Sequence, residues 1–461
     1  MLSKKQNLLS LTPILIFLFF SEVFGITTIT ADNPNFQYTG RIDFSAIDKP
    51  IIYWPGSYIK ANFEGQLIMI MLDDQTGQSY YNVFIDNDFN NPRLIDCVAG
   101  THTYLVSASL TDTVHTVLIF RRTEASTGPT KFLGIQINDG KTLHTPPVRP
   151  EHKILFYGNS ITCGMGNEAP DASGDDNMLH ENNFLSFGAI TSRLLNTDYM
   201  CTAKSGIGVM ISWFDMVMSD YYYRLNPDDS TSNWDFNEFI PDVVVINLLQ
   251  NDSWLIGNLN PVPDSSQRVA AYMDFVREIR QHHPNAFIVC ALGSMDATKI
   301  GSPWPGYIET AVANLQSMDS DTLLGTHFFP FDPAWTKHPR VRHHQVMAQN
   351  LANYINNEMG WITDVEDNYL TELPENFELM QNYPNPFNPS TTIDYTITEP
   401  GNIKIVIFDV LGREIKTLVN EYKGAGRYKA VFSAGILASG IYYYQLITEN
   451  NFKTRSMILL K

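Results

Sequence analysis

A serine attacks an acyl group only when a base takes its proton and hydrogen-bond donors receive the oxyanion that forms. The chain holds residues of each type in an order that suits this chemistry. Ser160 closes the segment ILFYGNS, at the end of a short apolar run, where an open α/β sheet would turn at the edge that carries ligands. Gly206, in SGIG, can present a bare backbone N–H to a ligand. Asn251, in NLLQND, can offer a side-chain amide. With the Ser160 N–H these make a candidate three-donor oxyanion hole, in which loss of one donor typically costs about 10² to 10³ in rate. The base would come late: His338 falls between the run TLLGTHFF and a last helical stretch, in a loop stiffened by Pro339. His343 and His344 lie inside that stretch and His327 near the strand end, so they are weaker candidates.

These residues need a parallel sheet to deliver them. The apolar segments KILFYG, DVVVINLL and AFIVCALG alternate with helix-length amphipathic stretches. Strands apolar on both faces and separated by helices predict a three-layer α/β domain, expected over 150–362. One such stretch, 265–283, has Val269, Tyr272, Met273 and Val276 at three- and four-residue steps. Before it, runs such as QLIMIMLDD, YYNVFIDN and HTVLIFRRT are each closed by turn residues, which predicts an antiparallel β-sandwich of jelly-roll type over 36–148. The prolines of LHTPPVR mark a linker between the two. A third, strand-rich region follows the turn-dense NYPNPFNPS and predicts a small immunoglobulin-like sandwich over 373–461.

The 461 residues carry a formal net charge of -18, which disfavours nucleic acid or an anionic membrane face as partner. Lys4 and Lys5 precede an apolar run from Leu8 to Phe20, and Val23 and Gly25 suit a cleavage site. The segment 1–25 therefore reads as a secretory signal, and no other stretch is long enough to span a bilayer. Cys97, Cys163, Cys201 and Cys290 show no metal-binding spacing. A Cys163–Cys201 bridge and a pair of buried free thiols both fit the spacing.

GNSITCG, SGIG, NLLQND and the late HP resemble the four blocks of the SGNH, or GDSL-type, hydrolases. With GRIDF, YWPGSYIKANFEG, YYNVFIDN and HPRVRHHQVMA, the stretch from Gly40 to Met359 is similar to carbohydrate esterase family two, whose members place a jelly-roll domain before the hydrolase. The resemblance implies deacetylation of plant cell-wall polysaccharide, acetyl-xylan or acetyl-mannan, without a metal or other cofactor. It implies Ser160 as nucleophile, His338 as base, and Ser160, Gly206 and Asn251 as the oxyanion hole. Asn159 stands where the family usually has aspartate, and Leu249 and Gln250 replace a glycine and a threonine. The acid usually found two or three residues before the histidine is missing, since Trp335 and Thr336 stand there and the nearest acid is Asp332. The expectation is a serine–histidine dyad with the imidazole held by a backbone carbonyl, and Asp332 as a third candidate.

Trp335 is the preferred sugar-stacking residue, with Trp254 and Trp304 also near the predicted loops. The C-terminal region, with QNYPNPFNPST and GIYYYQL, resembles the sorting domains of type IX secretion, which implies passage through the periplasm to the surface or medium, with the secretion machinery as partner. A lipid or aryl esterase on the same fold and a non-catalytic glycan-binding protein are the competing readings.

Overall fold

The computed structural model describes residues 25–175, 177–361, 377–398, 401–423, 426–435, 437–448 and 451–460. The signal-like segment before Gly25 and the expected boundary at 362–373 lie outside the described residues. Among those described, no helix is long and apolar enough to cross a membrane.

The first region packs two six-stranded antiparallel sheets face to face. The strand Ile68–Asp74, IMIMLDD, buries every second residue, as a pleated strand with one face on a core must. Phe63, Ile70 and Phe132 fill the space between the sheets. Two edges differ from the sequence expectation. The strand Ile26–Thr30 pairs with Thr130–Asn138, ahead of the expected start at 36. Leu143–His144, expected in the linker, pairs with Tyr58–Glu64 because Leu143 is buried in the sandwich core; the chain leaves the sheet only where the prolines begin.

The second region is a five-stranded parallel sheet in the order Thr197–Ala203, His152–Gly158, Val243–Asn247, Phe287–Leu292, Leu324–Phe328. Val243–Asn247 and Phe287–Leu292 are buried along their whole length, because helices cover both faces. On one face lie α2 (Phe187–Leu194) and α6 (Val341–Met359), which contribute Phe187, Ile190, Met347 and Leu351 to the core. On the other lie α4 (Ser265–His282) and α5 (Trp304–Met318), with Tyr272, Val276, Ile308 and Val312. The Asp264 and Gln267 side chains cap the start of α4 reciprocally. All four cysteines are buried free thiols, so the Cys163–Cys201 bridge is not formed.

The sandwich and the α/β region share buried polar groups. Arg41 is wholly buried and donates to the carbonyls of Tyr222 at 2.5 Å and Arg224 at 2.9 Å. Its guanidinium lies 5.5 Å from the Trp54 ring and 5.5 Å from Phe236, so aromatic faces replace some of the water it has lost. Trp54 donates to the Leu225 carbonyl at 2.7 Å.

The C-terminal region pairs a three-stranded with a four-stranded sheet over a core that includes Ile393, Ile405, Tyr444 and Met457. Asn382, the asparagine that opens NYPNPFNP, is buried; its N–H donates to the Tyr444 hydroxyl and its amide to Thr391 Oγ1.

Arg41→Leu strands two buried carbonyls and removes the caged cation. It should lower stability by about 2 kcal/mol or more, read as a reduced denaturant midpoint at unchanged slope.

Candidate active site

Gly158, the last residue of its strand, pairs in parallel register with Ala203 on one side and Asn247 on the other. The segments that follow these three residues therefore leave from one edge of the sheet, the carboxyl edge where ligands bind. A side chain at 158 would run into Thr162 at 1.9 Å, so glycine is what lets the short helix α1 (Ser160–Cys163) fold back against the strand end. Asn159 caps that helix, its Oδ1 accepting the Ile161 N–H at 3.1 Å. Asparagine serves here as aspartate would, because the cap needs only an acceptor oxygen.

Ser160 Oγ lies 2.8 Å from His338 Nε2, although 178 residues separate them. His338 Nδ1 lies 3.0 Å from the Asp175 carboxylate, which also accepts the His338 backbone N–H at 3.1 Å. An ionised carboxylate only accepts, so Nδ1 carries the proton and Nε2 is left free to accept from the serine hydroxyl. The expected dyad is thereby corrected. A side-chain carboxylate, not a backbone carbonyl, holds the imidazole, and it is Asp175 rather than Asp332. Asp332 is turned away: its Oδ1 accepts the Ala334 N–H and its Oδ2 lies 3.9 Å from His343.

Arg340 completes the arrangement. It is almost fully buried and donates to Asp175 Oδ1 at 2.7 Å, to the Gly166 carbonyl at 2.7 Å and to the His338 carbonyl at 3.3 Å. Burial pushes the Asp175 carboxyl up, but hydrogen bonds from His338 and Arg340 outweigh that and hold it well below the usual carboxylate range. More pairs bind the two loops together. Arg342 meets Asp171 through two bonds of 2.9 Å, and Lys337 Nζ donates to the Asp171 and Ser173 carbonyls.

Gly206 has φ +84°, a left-handed conformation that favours glycine. Among the described residues neither its N–H nor that of Ser160 has a protein acceptor. Asn251 Nδ2 donates to the Ile207 carbonyl at 2.8 Å, while its Oδ1 accepts from Trp213 Nε1 at 3.2 Å. These two bonds fix the amide's orientation and leave it a second N–H. The next residue, Asp252, is buried and accepts the N–H groups of Val209, Met210 and Ile211. The Asn251–Asp252 pair thus ties the Gly206 loop to α3 (Gln250–Leu255). Leu249, where the family usually has glycine, still takes φ +75°, with its side chain buried in the core. Gln250 donates to Asp296 Oδ1 at 2.9 Å, which also accepts Trp254 Nε1 at 2.8 Å.

The tryptophans divide. Trp335, expected to face the sugar, is engaged with its own loop: Nε1 donates to the His338 carbonyl at 2.9 Å, and the guanidinium carbons of Arg340 and Arg342 each lie 4.9 Å from its ring. Trp304 is a core residue, 6% exposed. Trp254, pinned through Asp296, is 42% exposed. Trp213, which the sequence reading did not single out, is 64% exposed and bonded to Asn251. His343 and His344 lie in α6, where they accept the Arg340 and Phe187 N–H groups, and so stand apart from the serine.

Asp175 sits in PDASGDD. No spacing rule relates that acid to His338, and only its place within a loop rich in aspartates between Ser160 and α2 could have raised it as a candidate.

Residues 38–147 match the family described as carbohydrate esterase 2 N-terminal, and residues 381–460 match the secretion system C-terminal sorting domain. A solved family two carbohydrate esterase from Clostridium thermocellum, in complex with cellohexaose, is 31% identical with a TM-score of 0.65; the match covers 71% of this chain and 100% of that one. The cellulase/esterase CelE of Acetivibrio thermocellus is 33% identical over 72% of this chain, which spans 40% of the length of that protein. An acetylxylan esterase / glucomannan deacetylase of Cellvibrio japonicus is 27% identical over 72% of this chain and 92% of its own length.

A carboxylate held below its ordinary range adds stability that is complete above about pH 4 and is lost as pH falls toward the depressed value. Asp175→Ala should therefore cost about 1.5–3 kcal/mol at pH 7 and progressively less below pH 4. Thermal melts of both proteins across that interval check it.

Proposed function

This chain belongs to the family two carbohydrate esterases, and we propose on that footing that it is a secreted serine esterase that removes O-acetyl groups from plant cell-wall polysaccharide, acetyl-xylan or acetyl-mannan. The observation that carries the reading is the 2.8 Å contact between Ser160 Oγ and His338 Nε2, with Asp175 on the far side of the ring.

In this reading Ser160 Oγ attacks the acetyl carbonyl carbon as its proton passes to His338 Nε2. The new imidazolium is stabilised by Asp175, which arginine and histidine keep ionised. The tetrahedral oxyanion is received by the Ser160 and Gly206 N–H groups and the second N–H of Asn251. His338 returns the proton to the departing sugar hydroxyl, leaving acetyl-Ser160. A water activated by the same imidazole then releases acetate and restores the serine.

Exposed indoles suit a carbohydrate better than a lipid, since a sugar ring stacks on an aromatic face while its hydroxyls stay in water. Trp213, adjoining Asn251, and Trp254, one turn further along α3, are the platform we assign to the sugar, in place of Trp335. The C-terminal sandwich would be the export address, recognised by type IX secretion machinery after passage through the periplasm, so that the enzyme works at the cell surface or in the medium. The presence of an orienting acid argues against a glycan-binding protein that has lost catalysis.

Acetate release from acetylated xylan and glucomannan should be readily measured for wild type and fall to background for Ser160→Ala. Equal rates in the two proteins would refute the nucleophile. Asp175→Asn should lower kcat by about 10² to 10³, less than the roughly 10⁴ of an amide-cleaving triad, because an acetyl ester is the easier substrate. A change within threefold would mean that the dyad works unaided.

A further inference from the structure

One carboxylate of the N-terminal sandwich reaches the catalytic edge of the hydrolase. Glu124 lies just past the strand Val114–Arg121 and is 3% exposed. Its Oε2 accepts the Ser205 N–H at 2.8 Å, and Cys163 Sγ lies 3.7 Å from the same oxygen. Ser205 immediately precedes Gly206, and Cys163 is the last residue of α1, whose first residue is Ser160. A single oxygen from another region of the chain therefore touches both segments that carry the backbone donors of the oxyanion hole.

The surrounding contacts hold that carboxylate in place. The Glu124 N–H donates to Glu181 Oε1 at 2.6 Å. The neighbouring Arg122 is buried; it bonds Glu168 and donates to the Glu181 carbonyl at 3.2 Å and the Leu179 carbonyl at 2.8 Å, while its own carbonyl accepts the Asn183 N–H. Burial, and then the Glu124 charge, push the Glu181 carboxyl well above its ordinary range, so the pocket need not hold two adjacent charges.

We propose that Glu124 is a positioning residue of the esterase: by accepting the Ser205 N–H it anchors the 204–205 peptide, from which the next peptide carries the Gly206 N–H toward the oxyanion, so the sandwich is a working part of the active site. The requirement is geometric. Gly206 has the left-handed conformation open to glycine, and glycine is the least restricted by its own side chain; hydrogen bonds from its surroundings therefore set its orientation, the Trp213 N–H on its own carbonyl and, on the peptide just before it, the Glu124 carboxylate on the Ser205 N–H. A misplacement of about 1 Å in such a group can cost on the order of 10² in rate.

The inference rests on the esterase reading above, and two variants separate the two. Glu124→Gln keeps an oxygen acceptor for Ser205; Glu124→Met has the same reach without one. With 4-nitrophenyl acetate, the methionine variant should lose about 10- to 100-fold in kcat with KM within twofold, and its inactivation by a phosphonate that forms a tetrahedral adduct on serine should slow in proportion. The glutamine variant should stay within threefold of wild type in both assays. If the methionine variant does not fold, Glu124→Asp, whose carboxylate stops one methylene short, takes its place with the same expected loss. A folded methionine or aspartate variant with wild-type kcat would overturn the role, as would a loss in the glutamine variant equal to theirs, or a loss confined to KM. A wild-type protein that releases no acetate would instead overturn the esterase reading.

Discussion

The ion pair between Arg340 and Asp175 is the interaction on which the candidate site turns. A carboxylate, an imidazole and a hydroxyl must share one line, yet Asp175 and His338 are 163 residues apart in the chain. Arg340 binds the acid through a side chain that also holds the Gly166 and His338 carbonyls, so one buried guanidinium fixes both loops at once. An exposed pair would contribute little; this one is largely removed from water and satisfied by several acceptors, the condition under which a buried charge is tolerated. Trp335 belongs to the same device, since its indole lies against Arg340 and Arg342 and its N–H holds the His338 carbonyl.

The second constraint lies at the boundary between the sandwich and the sheet. Arg41, Arg122 and Glu124 are all buried there, and each binds a backbone group of the α/β region. Charged groups so placed destabilise a fold unless their partners are exact in position, so the two regions hold each other in one arrangement. This differs from a binding module joined by a flexible tether. Even the linker is pinned, with Arg149 bonded to Asp198 at 3.0 Å.

Much of the architecture was legible because burial imposes a period. Strands such as YIKANFE, where Ile59, Ala61 and Phe63 alternate with Lys60, Asn62 and Glu64, show the period of one face on a core, and VVVIN does not because both its faces are covered. Ser160, Gly206 and Asn251 could be singled out, and their segments do leave one edge of the sheet, because strand ends and local motifs lie within a few residues of one another in the chain. The orienting acid could not. Asp175 is set by a loop that folds over from another part of the domain, and its neighbours in sequence, Asp171 and Asp176, are of the same type. For Trp335, closeness to His338 in sequence suggested the substrate side, and the structure adds what spacing could not show, that its indole lies against two arginines. Trp213 escaped notice because its bond to Asn251 joins loops 38 residues apart.

Residue order alone was enough to expect the three-part plan, the layered sheet, and a serine and a histidine that come within hydrogen-bond reach, since each expectation depends on hydrophobic period or on a motif a few residues long. Which carboxylate orients the imidazole, which indoles stay exposed, and how deeply the sandwich reaches into the hydrolase depend on contacts between segments tens to hundreds of residues apart. Such contacts come from the packing of whole elements, and a hydrogen bond between two loops has no counterpart in the spacing of either one.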